Sequence, residues 1–520
     1  MENQNLSYDA WRPSHSPWLI ALAVMLPTFM EILDTAVANV ALPHIAGNLS
    51  ATTHEATWAL TSYLISNAVI LPATAWFSGF FGRKRFLMVC VVIFTLSSAL
   101  CGFAGSLGFL IFARVLQGAG GGGLQPISQA ILLESFPKER RGMAMAVFAL
   151  GAIIAPIIGP VIGGWITDNF SWRWIFFINI PIGVISVFLA QKFIEDPPYI
   201  QKRSLLHLDY IGFSLMAVGL GALQLVLDKG QEVDWFAADW VVWTSVLVVA
   251  ALSAFVFWEL RVKEPVVNLR ILKDGNFHTG VFLITVLGFV LYGTTVLLPL
   301  FLQTLMGYNA LHSGLALSPR GIFSFMMAAV VGKLVSRVDG RYIVACGLVV
   351  LGVACYQLGN INLAMGPEYI FLPVIFSGMA ISAIFIPLTT LAMATLERSE
   401  MGNATGLYNL MRNIGGSVGI SMAATFLARM SQVHQNALVS HLTPYDPAYQ
   451  EAMRRGAQVL AQAGGVVSPD AALGFIYRET VRQASLLAFI DNFHWFGLLC
   501  LACVPSVWLF KRVRQGNMAH

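Results

Sequence analysis

Fourteen stretches of this chain run for about 20 or more residues with almost no charge, each long enough to cross the hydrocarbon core of a bilayer as a helix. Inside lipid every backbone N–H and C=O must find its partner within the protein, so apolar runs of this length are helices rather than open strands. They cover 17–38, 57–80, 86–106, 108–133, 142–166, 173–193, 208–228, 237–259, 277–304, 312–335, 341–362, 368–394, 404–430 and 486–510. Charged residues make up 11% of the chain, far below the share of about 25% in soluble proteins, which excludes a water-soluble enzyme. The 46 glycines suit helices that pack backbone to backbone in lipid. The chain reads as an all-α polytopic membrane protein whose first partner is the lipid bilayer. A net charge of only +4 implies no nucleic-acid partner.

Lys and Arg set the direction of the spans. Arg83 to Arg85, Lys138 to Arg141, Lys192 with Lys202 and Arg203, Arg261 to Lys273, Lys333 to Arg341, and Lys511 to Arg514 all follow even-numbered spans. The opposite short loops hold little beyond Arg173 and Lys229. Both termini are therefore expected in the cytoplasm. The long segment from Ser431 to Ser485 then lies outside, with Tyr449 to Ala463 reading as an amphipathic helix that carries Arg454 and Arg455 on its polar side. It is either a docking element or a solvated hairpin.

Span 2 ends in Gly79 to Arg85 and span 10 in Gly332 to Arg341, a weak echo eight spans apart; Gly-rich spans 5 and 13 repeat the offset. Two six-helix bundles with two inserted helices satisfy that spacing. The expected units are a cytoplasmic tail at 1–16, a first bundle at 17–193, and a linker with two additional helices at 194–276. A second bundle follows at 277–510, including the outside segment 431–485, and a cytoplasmic tail at 511–520.

Ionisable groups deep in lipid cost at least a few kcal/mol each, so they are candidates for function. Span 1 holds Glu31 and Asp34 on one helix face; Arg114 lies in span 4, Arg320 in span 10 and Arg412 in span 13. Asp34 must avoid lipid, and the nearest cation in the same half is Arg114. A proton or cationic substrate reaching this pair would decide whether the two groups stay together. A purely structural ion pair is the other reading. Glu31, one turn away, either shares the proton or plays a structural part. Tyr292, Thr294, Gln303, Phe385, Tyr408, Asn409 and Arg412 are candidates to line a substrate cavity, or simply pack helices.

Span 5 carries Gly151, Pro156, Gly159, Pro160, Gly163 and Gly164. The prolines bend it, and the Gly159 and Gly163 face admits a neighbour at close range. Gly118 to Gly123 matches a dinucleotide-binding pattern by spelling alone, since no strand precedes it. No phosphate-binding P-loop is present, so uphill transport draws on an ion gradient. The six cysteines fall in apolar runs, and neither a disulfide framework nor a metal set is expected.

Leu33 to Pro43, Leu110 to Gly118 with Arg114 and Gln117, Gly151 to Gly164, and Trp172 to Gly183 with Asn179 and Pro181 stand in order along the chain. Together they resemble the motifs of spans 1, 4, 5 and 6 of major facilitator superfamily transporters, in the 14-span drug:proton antiporter branch of EmrB/QacA type. The resemblance runs nearly end to end. It implies export of small hydrophobic or amphipathic compounds against inward proton flow across the bacterial inner membrane, with the proton as coupling ion and no cofactor. It ties Arg114, and so its partner Asp34, to proton transfer, and implies an antiporter role for the span-5 glycines and prolines and a cytoplasmic gate at Gly82, Arg83 and Lys84. There, Gly79 stands where most members carry Asp, which puts the gating ion pair in question. It further implies a periplasmic adaptor of the EmrA type and an outer-membrane channel of the TolC type. An uptake symporter of the same fold is the alternative; a lipid-modifying enzyme lacks a convergent nucleophile and base.

Overall fold

The computed structural model describes residues 13–137, 140–197, 209–335, 337–363, 365–366, 368–397, 400–440, 442–443, 445–462 and 468–511. Among these there is no strand. The α-helices are α1 (Pro17–Asn48), α2 (Thr53–Ala56), α3 (Trp58–Phe81), α4 (Arg83–Gly102), α5 (Leu107–Gly121), α6 (Leu124–Ser135), α7 (Arg141–Asn169), α8 (Trp174–Phe177) and α9 (Asn179–Phe193). They continue as α10 (Tyr210–Lys229), α11 (Asp239–Arg261), α12 (Gly275–Thr304), α13 (Ala310–Leu334), α14 (Gly340–Leu358), α15 (Glu368–Ala392), α16 (Met401–Val439), α17 (Pro447–Gln462) and α18 (Pro469–Cys503).

Small polar residues start many of these helices by accepting a bond from an otherwise orphaned N–H. Ser106 does so for α5, Asp209 for α10, Asp274 for α12, Asn309 for α13 and Ser468 for α18. The turn from α3 to α4 needs Gly82, whose φ of 82° most residues avoid. Span 4 is broken into α5 and α6 at Gly122 and Gly123. A Cβ on Gly120 would meet the α4 backbone at Phe94 and Cys90, and one on Gly122 the α3 backbone at Asn67. The glycine run is thus a packing surface.

Helices α1, α3, α4, α5, α6, α7 and α9 pack on one another; α12, α13, α14, α15, α16 and α18 form a second group. The seam between them joins α7 to α13 and α15, and α16 to α3 and α6. Helix α11 packs on α10, which leans on α3 and α16. The outer faces carry exposed Leu96, Phe188, Trp243 and Val249, as surfaces bathed in lipid do.

Thirteen helical stretches among the described residues are long and apolar enough to cross a membrane. The run expected at 404–430 lies inside α16, which falls short of that apolarity because Asn403, Asn409, Arg412 and Asn413 interrupt it. Several helices also outrun their apolar stretches: α1 continues to Asn48, α16 to Val439, and α18 begins at Pro469. Much of the expected loop 431–485 is therefore helix. Its ends are joined by Ser431 Oγ and Ser485 Oγ at 3.2 Å, and close by them His434 Nε2 meets Asp491 Oδ2 at 2.7 Å. The amphipathic stretch is α17, ending at Gln462 with Ala463 outside the described residues, and Arg454 and Arg455 are exposed on it. Its other side packs on α18, where Gly456 meets Phe475.

Candidate functional site

Asp34 on α1 and Arg114 on α5 are 2% and 0% exposed. Arg114 Nη1 donates to Asp34 Oδ2 at 2.6 Å and to Gln117 Oε1 at 2.7 Å, while Nε donates to Ala59 O at 3.0 Å. The other carboxylate oxygen accepts from Gln117 Nε2 at 2.9 Å and Asn179 Nδ2 at 2.7 Å. Asn179 also donates to Ser98 Oγ at 2.9 Å. The guanidinium lies 4.2 Å from the centre of the Tyr63 ring. Gly118, whose Cβ would strike Tyr63 O, lets α5 come close enough for this contact. Four helices thus hold one carboxylate against one cation in a dry site, where either group left alone is costly.

Glu31, one turn earlier on α1, is 4% exposed and, among the described residues, accepts only from neutral donors: Tyr63 Oη at 3.0 Å, Asn67 Nδ2 at 3.3 Å and Gln125 Nε2 at 2.8 Å. Gln125 Oε1 in turn accepts from Arg412 Nη2 on α16 at 2.5 Å. The amide therefore bridges an acid of the first bundle to a cation of the second. A parallel bond crosses the seam from Asn409 Nδ2 to Gln129 Oε1 at 2.6 Å. Phe385 stacks against Phe148 of α7 at 6.4 Å.

Gly159 and Gly163 of α7 face α1, where added Cβ atoms would meet Ala36 and Val37; Gly151 faces Met25, and Gly164 has open space. Pro156 is exposed, and the Pro160 side chain lies outside the described residues. The glycine face therefore presses on the helix that carries Glu31 and Asp34.

At the α3–α4 turn, Arg83 does have a carboxylate partner despite Gly79. Its Nη2 donates to Glu134 Oε1 at 2.7 Å and Nε to Oε2 at 3.3 Å, from the end of α6, and Nη1 donates to Ser78 Oγ at 2.9 Å. Gly402, at the start of α16, sits directly against this guanidinium. Lys84 donates its backbone N–H to Asp196 Oδ1 at 2.9 Å and its Nζ to Gln191 O at 2.5 Å.

The candidate cavity residues do not form one lining. Phe385, Asn409 and Arg412 meet the seam as described. Thr294 accepts from Arg320 Nη2 at 3.0 Å, and Tyr292 covers Gly416. Tyr408 is fully buried with its hydroxyl 3.1 Å from Thr389 Oγ1, inside the second bundle. Gln303 is exposed near the end of α12 and contributes to none of these contacts.

A sequence profile described as the Major Facilitator Superfamily matches residues 24–420. The chain belongs to the Major Facilitator Superfamily. EmrB of Haemophilus influenzae, a multidrug export protein, is 39% identical over 95% of each chain. FarB of Neisseria gonorrhoeae, a fatty acid resistance protein, is 36% identical over 97% of this chain and 98% of its own length. Among solved structures, the proton:xylose symporter XylE superposes with a TM-score of 0.60 at 14% identity over 95% of both chains, which shows the shared fold alone. This superfamily member is accordingly a multi-pass transporter of the EmrB-like efflux type rather than an enzyme.

Gln117, Asn179 and Asn409 stood out along the chain of this superfamily transporter, but counting charges missed Gln125 and Gln129, the first bundle's amides at the seam. Gln117, Gln125 and Gln129 recur at spacings of four and eight along the apolar α5–α6 stretch, so they share a face. Neutral amides buried at helical spacing were the available signal.

Proposed function

We propose that this transporter exports hydrophobic or amphipathic compounds across the bacterial inner membrane in exchange for protons. Access alternates as the bundle of residues 17–193 rocks against that of residues 277–510, with the helices of 194–276 carried along. The observation that carries the reading is the pair of acids one turn apart on α1: Asp34, closed on Arg114 within its own bundle, and Glu31, tied through Gln125 to Arg412 of the other. Protonation of Asp34 releases Arg114. Protonation of Glu31 weakens its hold on Gln125 and favours separation of the halves, so proton binding biases a two-state equilibrium. Arg83 on Glu134, against Gly402, closes the cytoplasmic side. The glycine face of α7 keeps α1 in register while this happens.

Arg320 and Arg412 bond to hydroxyls and an amide, with no carboxylate on either among the described residues. Such cations favour amphipathic acids within a broad substrate range, in line with a relative named for fatty acid resistance. The segment 431–485 is the surface we assign to a periplasmic adaptor of the EmrA type, leading to an outer-membrane channel of the TolC type.

Everted vesicles test the direction and the coupling. Acid-inside vesicles carrying the wild-type chain should accumulate an exported dye, and Asp34→Asn should abolish this while the protein stays in the membrane. Dye expelled rather than accumulated under the same gradient would identify an uptake symporter and overturn the reading.

A further inference from the structure

The helices α10 and α11 hold a second buried acid pair, apart from Asp34 and Glu31. Asp209, 8% exposed, caps the start of α10: its Oδ1 accepts from Gly212 N at 2.8 Å and from Trp258 Nε1 at 2.9 Å. Glu259, in the last turn of α11, is 1% exposed. Among the described residues no hydrogen bond of good geometry reaches either of its buried carboxyl oxygens or Asp209 Oδ2, although the backbones of Val266 and Val267 lie beside Glu259. The two carboxyls lie against the same glycine. Glu259 Oε1 lies 2.8 Å from the point where a Gly212 Cβ would stand, and Asp209 Oδ2 lies closer still to the same point.

Two bare carboxylates in a dry contact repel, whereas one proton between them supplies the missing donor and removes one charge. The helix ends decide where it sits. The N-terminus of α10 and two N–H donors favour the anion on Asp209, and the C-terminus of α11 disfavours one on Glu259. We propose that Glu259 is a protonated carboxyl that donates to Asp209 Oδ2, making the α10–α11 hairpin a proton-binding site in its own right.

Among the described residues the surrounding charges are engaged elsewhere or exposed. Arg261 lies over the Phe257 ring at 3.8 Å, and Arg270 donates to Leu260 O and Val262 O at 3.1 Å. Tyr210, Lys263, Glu264 and Lys273 are exposed. Helix α3 meets this end of α10 through aromatic rings, with Phe213 stacked on Trp76 at 6.0 Å. Helix α16 touches α10 farther along, where Ser417 donates to Gln224. Since α3 leads straight into the Gly82–Arg83 turn, the proton braces a helix that leans on the gate. Its removal puts two charges in contact and drives the ends of α10 and α11 apart.

Infrared difference spectra of the full chain in bilayers read the proton directly. At neutral pH, wild type minus Glu259→Gln should show the carbonyl band of a protonated carboxyl. Asp209→Asn should lose the same band, because an amide there can donate to an ionised Glu259; Asp34→Asn should leave it in place. Raising the pH should bleach the band in wild type and increase hydrogen exchange at the start of α10. Glu259→Gln, which keeps a donor, should hold constant the protection there relative to the intrinsic exchange rate at each pH. Absence of the band from the wild-type difference would overturn the proposal, since Glu259 would then be ionised, whether by a solution cation or by Lys202 or Arg203 from the stretch outside the described residues. Hydrogen exchange with the same pH dependence in wild type and Glu259→Gln would overturn it independently.

Discussion

Arg114→Gln probes the buried centre most sharply. The substitution removes the positive charge, the 2.6 Å bond to Asp34 and the 3.0 Å bond to Ala59 O, leaving the carboxylate with the amides of Gln117 and Asn179. Breaking one side of a buried ion pair costs about 3–5 kcal/mol, because the survivor keeps its desolvation penalty without its partner. Two remaining donors, each contributing about 1.5–3 kcal/mol to a charged acceptor, put the expected loss at the lower end of that range, about 3 kcal/mol. Asp34→Asn strands the guanidinium instead and should cost a similar amount. The double variant buries no charge at all, so its cost should fall short of the sum of the singles by about 2–3 kcal/mol. Equilibrium unfolding in detergent, run as a double-mutant cycle, measures this coupling. Additive costs, or an Arg114→Gln loss below about 1 kcal/mol, the range of a solvent-exposed pair, would mean that water screens the pair and would refute the reasoning. Normal proton stoichiometry in Asp34→Asn vesicles would separately remove the coupling role.

Gly163→Leu should wedge α7 away from Val37 of α1 at a cost of about 1–3 kcal/mol and stop export, whereas Gly164→Ala, with open space at its Cβ, should leave both stability and export near wild type; equal effects at the two positions would deny the close contact its role. Replacing residues 441–467 by a Gly/Ser linker spares α16 and α18, so dye exchange in proteoliposomes should persist while resistance in cells with an outer membrane is lost. Retained resistance would exclude docking, and lost exchange would make α17 part of the bundle's support. Glu195 accepts from the Ser14 hydroxyl, the Ser14 backbone N–H and His15, which hold its carboxyl below the ordinary value of 4.5. With the folded value the lower one, this tie between the start of α1 and the end of α9 is present at neutral pH and lost only as the pH falls through that lowered value. Glu195→Gln should therefore lower protection from hydrogen exchange, relative to the intrinsic rate, in the first turn of α1 at pH 7 and flatten the acid dependence of that protection; an unchanged acid profile would assign the tie elsewhere.

The positions of the crossing helices and the meeting of Asp34 with Arg114 were legible along the chain because each follows from a local cost. A residue that cannot face lipid must lie in a short loop or find a partner inside, and few partners exist. The same arithmetic is silent where no charge is involved. Gln125 passes as an ordinary polar residue until the helices bring it to Arg412, and the replacement of the usual acid by Gly79 concealed that Glu134 supplies the carboxylate from another helix. Outside the bilayer the signal fades as well. The extensions of α16 and α18 are as helical as their apolar stretches, yet apolarity no longer marks them, because water satisfies the backbone there and permits other structures.

By itself, then, the sequence determined which segments enter lipid and which charges must be sheltered, since a medium without water prices every residue individually. Only the tertiary structure decided which amide bridges the two bundles, which glycine presses on α1 and which acids of α10 and α11 meet at Gly212. Those outcomes depend on distances of a few ångströms between helices far apart in the chain, and hydrogen bonding and close packing fall off over just such distances.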